Sequence, residues 1–76
     1  MERNSQERLE YRARILSALA NPNRLNILEH LQSGDMTVSQ LTDIAGLDMS
    51  TVSRHLGVLK RSGIVSCSPR GNTRLY

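Results

Sequence analysis

The stretch from Gln40 to Gly63, QLTDIAGLDMSTVSRHLGVLKRSG, decides how this chain folds. Just before it, Thr37 and Gln40 have the spacing of a capping box. That spacing opens a helix running through about Ala45, with Val38, Leu41, Ile44 and Ala45 facing inward. Gly46 supplies the positive φ that a tight turn needs. Asp48 then caps a second helix, about Met49 to Ser62, in which Val52, Leu56 and Leu59 fall at i, i+4 and i+7 and line one side. Gly63 closes it.

Reading outward toward the N-terminus, Asn4 and Glu7 form another capping pair. Leu9, Ala13, Leu16 and Ala20 recur at helical spacing after it, so a helix is expected over about Ser5 to Leu19. Ile15 and Leu19 widen its apolar stripe enough to serve both a core and a second subunit. Asn21-Pro22 ends that helix and starts the next, about Pro22 to Gln32, which carries Leu25, Ile27, Leu28 and Leu31 and stops at Ser33-Gly34. Toward the C-terminus the period changes. Ile64 to Ser68, a Pro69-Arg70-Gly71-Asn72 turn and Thr73 to Tyr76 read as a β-hairpin. The fold class is mainly α with a small β-hairpin: four helices and a C-terminal wing, a winged helix-turn-helix. Residues 1–76 form one domain, with the helix-turn-helix at about 38–62 and the wing at about 64–76.

A chain of 76 residues buries only about 60% of the surface it exposes when unfolded, so its stability margin is small. With no Trp or Phe and two Tyr, the core must be aliphatic. The net charge of +3 is unevenly spread. Residues 1–48 carry five Arg against seven acids, whereas residues 49–76 carry Arg54, Lys60, Arg61, Arg70 and Arg74 and no acid. A one-sided basic surface suits a polyanion, because phosphates neutralised by Arg or Lys release condensed counterions. The single Cys67 excludes an internal disulfide and a closed cysteine zinc site. No signal-peptide pattern and no apolar run near the ~18 residues of a membrane span are present. The expected location is cytoplasmic, with no membrane partner.

On the helix after Gly46, the side opposite Val52, Leu56 and Leu59 presents Ser50, Thr51, Ser53, Arg54 and Gly57, with His55 beside them. A helix entering the major groove uses its N-terminal half to meet base edges; Arg grips guanine O6 and N7, and Ser and Thr donate to phosphates or bases. Arg70, Asn72 and Arg74 on the wing suit a flanking minor groove or phosphate backbone. A solvated amphipathic helix would show the same pattern by itself. The preceding helix, the glycine turn, the hairpin and the charge split agree with one another and favour double-stranded DNA as partner. A winged-helix protein-interaction module without nucleic acid is the alternative. No Ser-His-Asp arrangement, phosphate-cradling loop or carboxylate pair suggests an enzyme. His30 and His55 lack partners at ligand spacing, and Cys67 reads as a small strand residue, so no metal or cofactor is expected.

ALANPNRLNILEHL, LDMSTVSRHLGVLKRSGIV and RGNTRLY together resemble the ArsR family of winged-helix repressors, over about Leu16 to Tyr76. The resemblance implies a homodimer that represses by binding a palindromic operator and, in many members, releases it when a metal or other inducer binds. The thiolates of metal-sensing members align with Thr37, Ser39 and Thr42, whose hydroxyls are poor ligands for soft metals. A further metal site and much of the dimer interface lie, in the family, on a terminal helix that would follow Tyr76. The expectation is therefore a piece of a longer protein, a shortened member, or a dimer held by the first helix alone, with the inducer unassigned.

Overall fold

The computed structural model describes residues 5–70 and 73–76, with Arg70, Thr73 and Arg74 described by backbone alone. Its elements are α1 (Ser5–Leu19), α2 (Pro22–Leu31), α3 (Val38–Ala45), α4 (Met49–Arg61), β1 (Ser68–Arg70) and β2 (Thr73–Leu75). This is the expected winged helix-turn-helix order. The Asn4 capping pair lies outside the described residues.

Local side-chain chemistry sets where the helices start. The Asn21 Oδ1 accepts from the backbone N–H of Asn23 and Arg24 at 2.9 and 3.2 Å, and Pro22 occupies the first helical turn. Thr37 and Gln40 form the full capping box: Thr37 Oγ1 accepts from the Gln40 N–H at 3.1 Å and Gln40 Oε1 accepts from the Thr37 N–H at 2.9 Å. Two free N–H groups of α3 are thus satisfied reciprocally. Gly46, at φ 70°, ends α3 in the left-handed region and starts the turn.

The core is Ile27, Leu41, Val52, Leu56 and Leu59, all fully buried, with Leu28, Leu31, Met36, Val38, Leu47, Ile64, Val65 and Tyr76 packed around them. Three helices contribute, and α4 supplies most of the interior. Three positions expected to face inward are exposed. Ile44 is 52% exposed, because α3 is only two turns long and packs through Val38 and Leu41, leaving its flank uncovered. Leu9 and Leu16 are 62% and 65% exposed. Only Ala18 of α1 is buried, so this helix touches the body through its last turns and keeps most of its apolar stripe outside.

The wing begins later than expected. Gly63, at φ 76°, donates to the Lys60 carbonyl at 3.0 Å, and the Ile64 N–H donates to the Leu59 carbonyl at 2.9 Å. This paired closure of α4 is a Schellman motif. It commits Ile64 and Val65 to the core instead of a strand. Strands β1 and β2 are antiparallel, pairing Ser68 with Leu75, Pro69 with Arg74 and Arg70 with Thr73. Pro69 and Arg70 therefore belong to a strand; Gly71 and Asn72 lie outside the described residues. Met36 and Tyr76 exchange backbone hydrogen bonds at 3.1 and 2.8 Å, and Thr37 bridges Leu75. The wing is thus stitched to the segment that leads into α3.

Truncating Leu56 to Ala should lower unfolding free energy by about 2–5 kcal/mol, whereas Ile44→Ala should change it by about 0.5 kcal/mol or less. Urea denaturation at fixed protein concentration measures both. Comparable losses at the two sites would show that the core is wrongly drawn.

Candidate nucleic-acid interface

Helix α4 is two-sided. Val52, His55, Leu56 and Leu59 are buried, while Ser50, Ser53 and Arg54 are exposed and Thr51 is half-buried at the edge. Because α4 packs on both α2 and α3, the buried side fixes which residues point outward. Ser50, Thr51, Ser53 and Arg54 thereby come together on the first two turns of one exposed face, as the sequence suggests.

His55 does not join them. It retains only 6% exposure, and its Nδ1 accepts from Arg24 Nε at 3.2 Å. Lying three residues after Val52 and four before Leu59, it falls on the buried side of the helix. Arg24 also donates through Nη1 to the Ala18 carbonyl at 2.9 Å, so one guanidinium joins the end of α1 to the middle of α4. Arg24 is a residue that sequence reasoning missed, since its partners lie far away in the chain.

Asp48 organises the start of α4. Its Oδ1 accepts from the Ser50 hydroxyl at 2.7 Å and the Thr51 N–H at 2.8 Å, and its Oδ2 accepts from the Thr51 hydroxyl at 3.0 Å. The Thr51 backbone bond, then the Ser50 and Thr51 hydroxyls, lower the Asp48 pKa to about 2, with Arg54 adding a smaller attraction. Gly57 is less open to a groove than its lack of a side chain suggests, because Arg61 Nη1 would lie 3.3 Å from a Cβ placed there. The backbones of Arg70 and Arg74 sit on the paired wing strands; Asn72 is outside the described residues.

Among the positions aligned with metal-binding thiolates, the Thr37 hydroxyl is occupied in capping α3. The Thr42 hydroxyl is buried without a hydrogen-bond partner. No helix among the described residues is long and apolar enough to cross a membrane.

Residues 19–67 match the family model described as a helix-turn-helix domain. The fold superimposes, with a TM-score of 0.91 and 32% identity, on a solution structure from Mycobacterium bovis, covering 100% of this chain and 70% of that one. That structure is of a homodimeric winged helix-turn-helix DNA-binding domain of a possible ArsR-family transcriptional regulator. The chain belongs to the ArsR family of winged helix-turn-helix regulators. The crystal structure of NolR from Sinorhizobium fredii is similar to this ArsR-type domain as well, at 38% identity and a TM-score of 0.86, over all of this chain and 79% of NolR. An uncharacterized HTH-type transcriptional regulator of Mycobacterium tuberculosis is 39% identical over 66 residues, or 86% of this chain. The chain spans 58% of that protein's length, and 53% and 57% of two other curated relatives, NmtR of Mycobacterium tuberculosis and NolR of Rhizobium meliloti.

Burial holds the His55 pKa below the ordinary 6.5, and the charges of Arg24 and Arg54 push it the same way. An unfolded chain takes up the proton near 6.5, while the folded ArsR-type domain resists it. The contribution of His55 to stability is therefore complete above pH 6.5 and is lost as pH falls below it, through the depressed folded value. Chemical denaturation should show lower stability at pH 5 than at pH 7.5, with a flatter profile in His55→Asn. An unchanged profile in that variant would mean the buried imidazole does not report on this window.

Proposed function

We propose that this domain is the DNA-binding part of a cytoplasmic transcriptional repressor that binds a palindromic operator as a homodimer. The observation that carries this reading is the exposed face of α4, where Ser50, Thr51, Ser53 and Arg54 stand on a helix locked by its buried side. A helix so anchored can enter a major groove without rotating, and the wing beside it supplies Arg70 and Arg74 for the flanking backbone. Occupying an operator is sufficient to exclude a polymerase, so the domain works by binding and not by catalysis.

The second copy is proposed to dock along α1. Leu9 and Leu16 are largely exposed there, Tyr11 is 44% exposed, and Tyr11, Ile15 and Leu16 with Ile64 line a groove of about 500 Å³. A two-fold axis along this helix would present two recognition helices to successive major grooves about 34 Å apart.

Binding to a palindromic duplex, followed by fluorescence anisotropy, should weaken steeply with salt. The log–log slope should lie between about −3.6 and −5.4, as expected if two or three basic groups per protomer of a dimer each neutralise a phosphate. Arg54→Ala should cost about 1–3 kcal/mol and relax preference at one base pair of each half-site. Affinity indifferent to both salt and Arg54 would sink the DNA reading and leave a protein-interaction module in its place.

A further inference from the structure

We propose that Asp48 sets the base preference of the first turn of α4. By drawing the hydroxyl protons of Ser50 and Thr51 onto its carboxylate, it leaves that turn with acceptors facing outward, so that the turn selects cytosine or adenine through its exocyclic amino group. This inference rests on the DNA-binding reading above and deepens it.

The argument is one of counting protons. Each hydroxyl has one hydrogen to donate and two lone pairs with which to accept. An ionised carboxylate can only accept, and the Asp48 carboxyl stays ionised down to about pH 2. The bonds from Ser50 Oγ at 2.7 Å and Thr51 Oγ1 at 3.0 Å must therefore use the hydroxyl hydrogens, and the Thr51 N–H is committed to the same carboxylate. What these two hydroxyls can still offer a ligand is lone pairs.

In the major groove, donors come only from adenine N6 and cytosine N4, whereas guanine O6 and N7 and thymine O4 accept. Phosphate oxygens also accept. These two acceptor-only hydroxyls are thus mismatched with guanine, thymine and phosphate oxygens, and matched with an amino-bearing base. Ser50 and Thr51, which the sequence alone offers as donors, change role. One turn further on, about 6 Å along the axis, Arg54 carries donors only. The exposed face of α4 is therefore polarised, with acceptors first and donors second, which fits an amino-bearing base neighbouring a guanine. Asp48 acts here as a positioning residue, and its own carboxylate adds negative charge against phosphate.

The test is selection from a randomised duplex library with the full chain, comparing the unsubstituted protein, Asp48→Asn, which reverses the Thr51 hydroxyl on Oδ2, and Thr51→Val, which removes it. Asn keeps the cap, because its Oδ1 accepts from the Thr51 N–H, but its amide donates where Oδ2 accepted and turns a hydroxyl outward. The unsubstituted protein should select cytosine or adenine at one position of each half-site. Asp48→Asn should lose that preference about fivefold or more and shift toward guanine or thymine, with the Arg54-dependent position unchanged. Thr51→Val should weaken the same position. If folded Asp48→Asn selects the original base, Asp48 is a cap only and the inference is overturned. Should that variant fail to fold, an unchanged preference in Thr51→Val overturns it equally. If the unsubstituted protein yields no consensus, the DNA reading itself falls, an outcome distinct from a consensus that ignores Asp48.

Discussion

The packing of Val52, Leu56 and Leu59 against Ile27 and Leu41 is the constraint on which the rest of the molecule depends. Burying each large aliphatic side chain contributes about 1.5–3 kcal/mol, and a domain has only about 5–15 kcal/mol of net stability. Three residues of α4 therefore account for an amount comparable with the whole margin. The helix that carries the exposed polar face cannot rotate or slide without giving that up. Its specificity face is held in place by the same interaction that keeps the protein folded.

Much of this arrangement is legible in the sequence because the relevant signals are local. Asn21, Thr37 and Asp48 satisfy backbone groups two or three residues away, so helix starts can be read from short spacings. Periodicity also tells which side chains share a face. It does not tell whether another element covers that face, which is why Ile44, Leu9 and Leu16 read as core and lie at the surface. His55, expected beside the DNA-facing residues, is buried instead, although its spacing from Val52 and Leu59 matches the inner side of the helix. What was invisible was Arg24, thirty-one positions away, whose bond makes a histidine acceptable there. Ile64 and Val65 look like strand residues by composition, but the closure of α4 uses their backbone first.

The candidate site shows the same division. Its residue types and their clustering follow from the helical repeat, yet the direction of each hydroxyl follows from hydrogen-bond geometry around one carboxylate. A list of Ser, Thr and Arg gives the potential for donating and accepting. The side chain of Asp48 decides which potential is left for a ligand. A residue that looks like a mere helix start thereby bears on recognition chemistry.

The paired backbone bonds between Met36 and Tyr76 also bear on the order of folding. These residues are about 40 positions apart, and closing a loop of that length costs chain entropy before any compensating contact forms. Assembly of α3 and α4, which lie inside that loop, brings its ends together beforehand. The hairpin is consequently a late and conditional part of the structure. On that order, the amide hydrogens paired between β1 and β2 should exchange through local opening, while those of α4 should follow global unfolding.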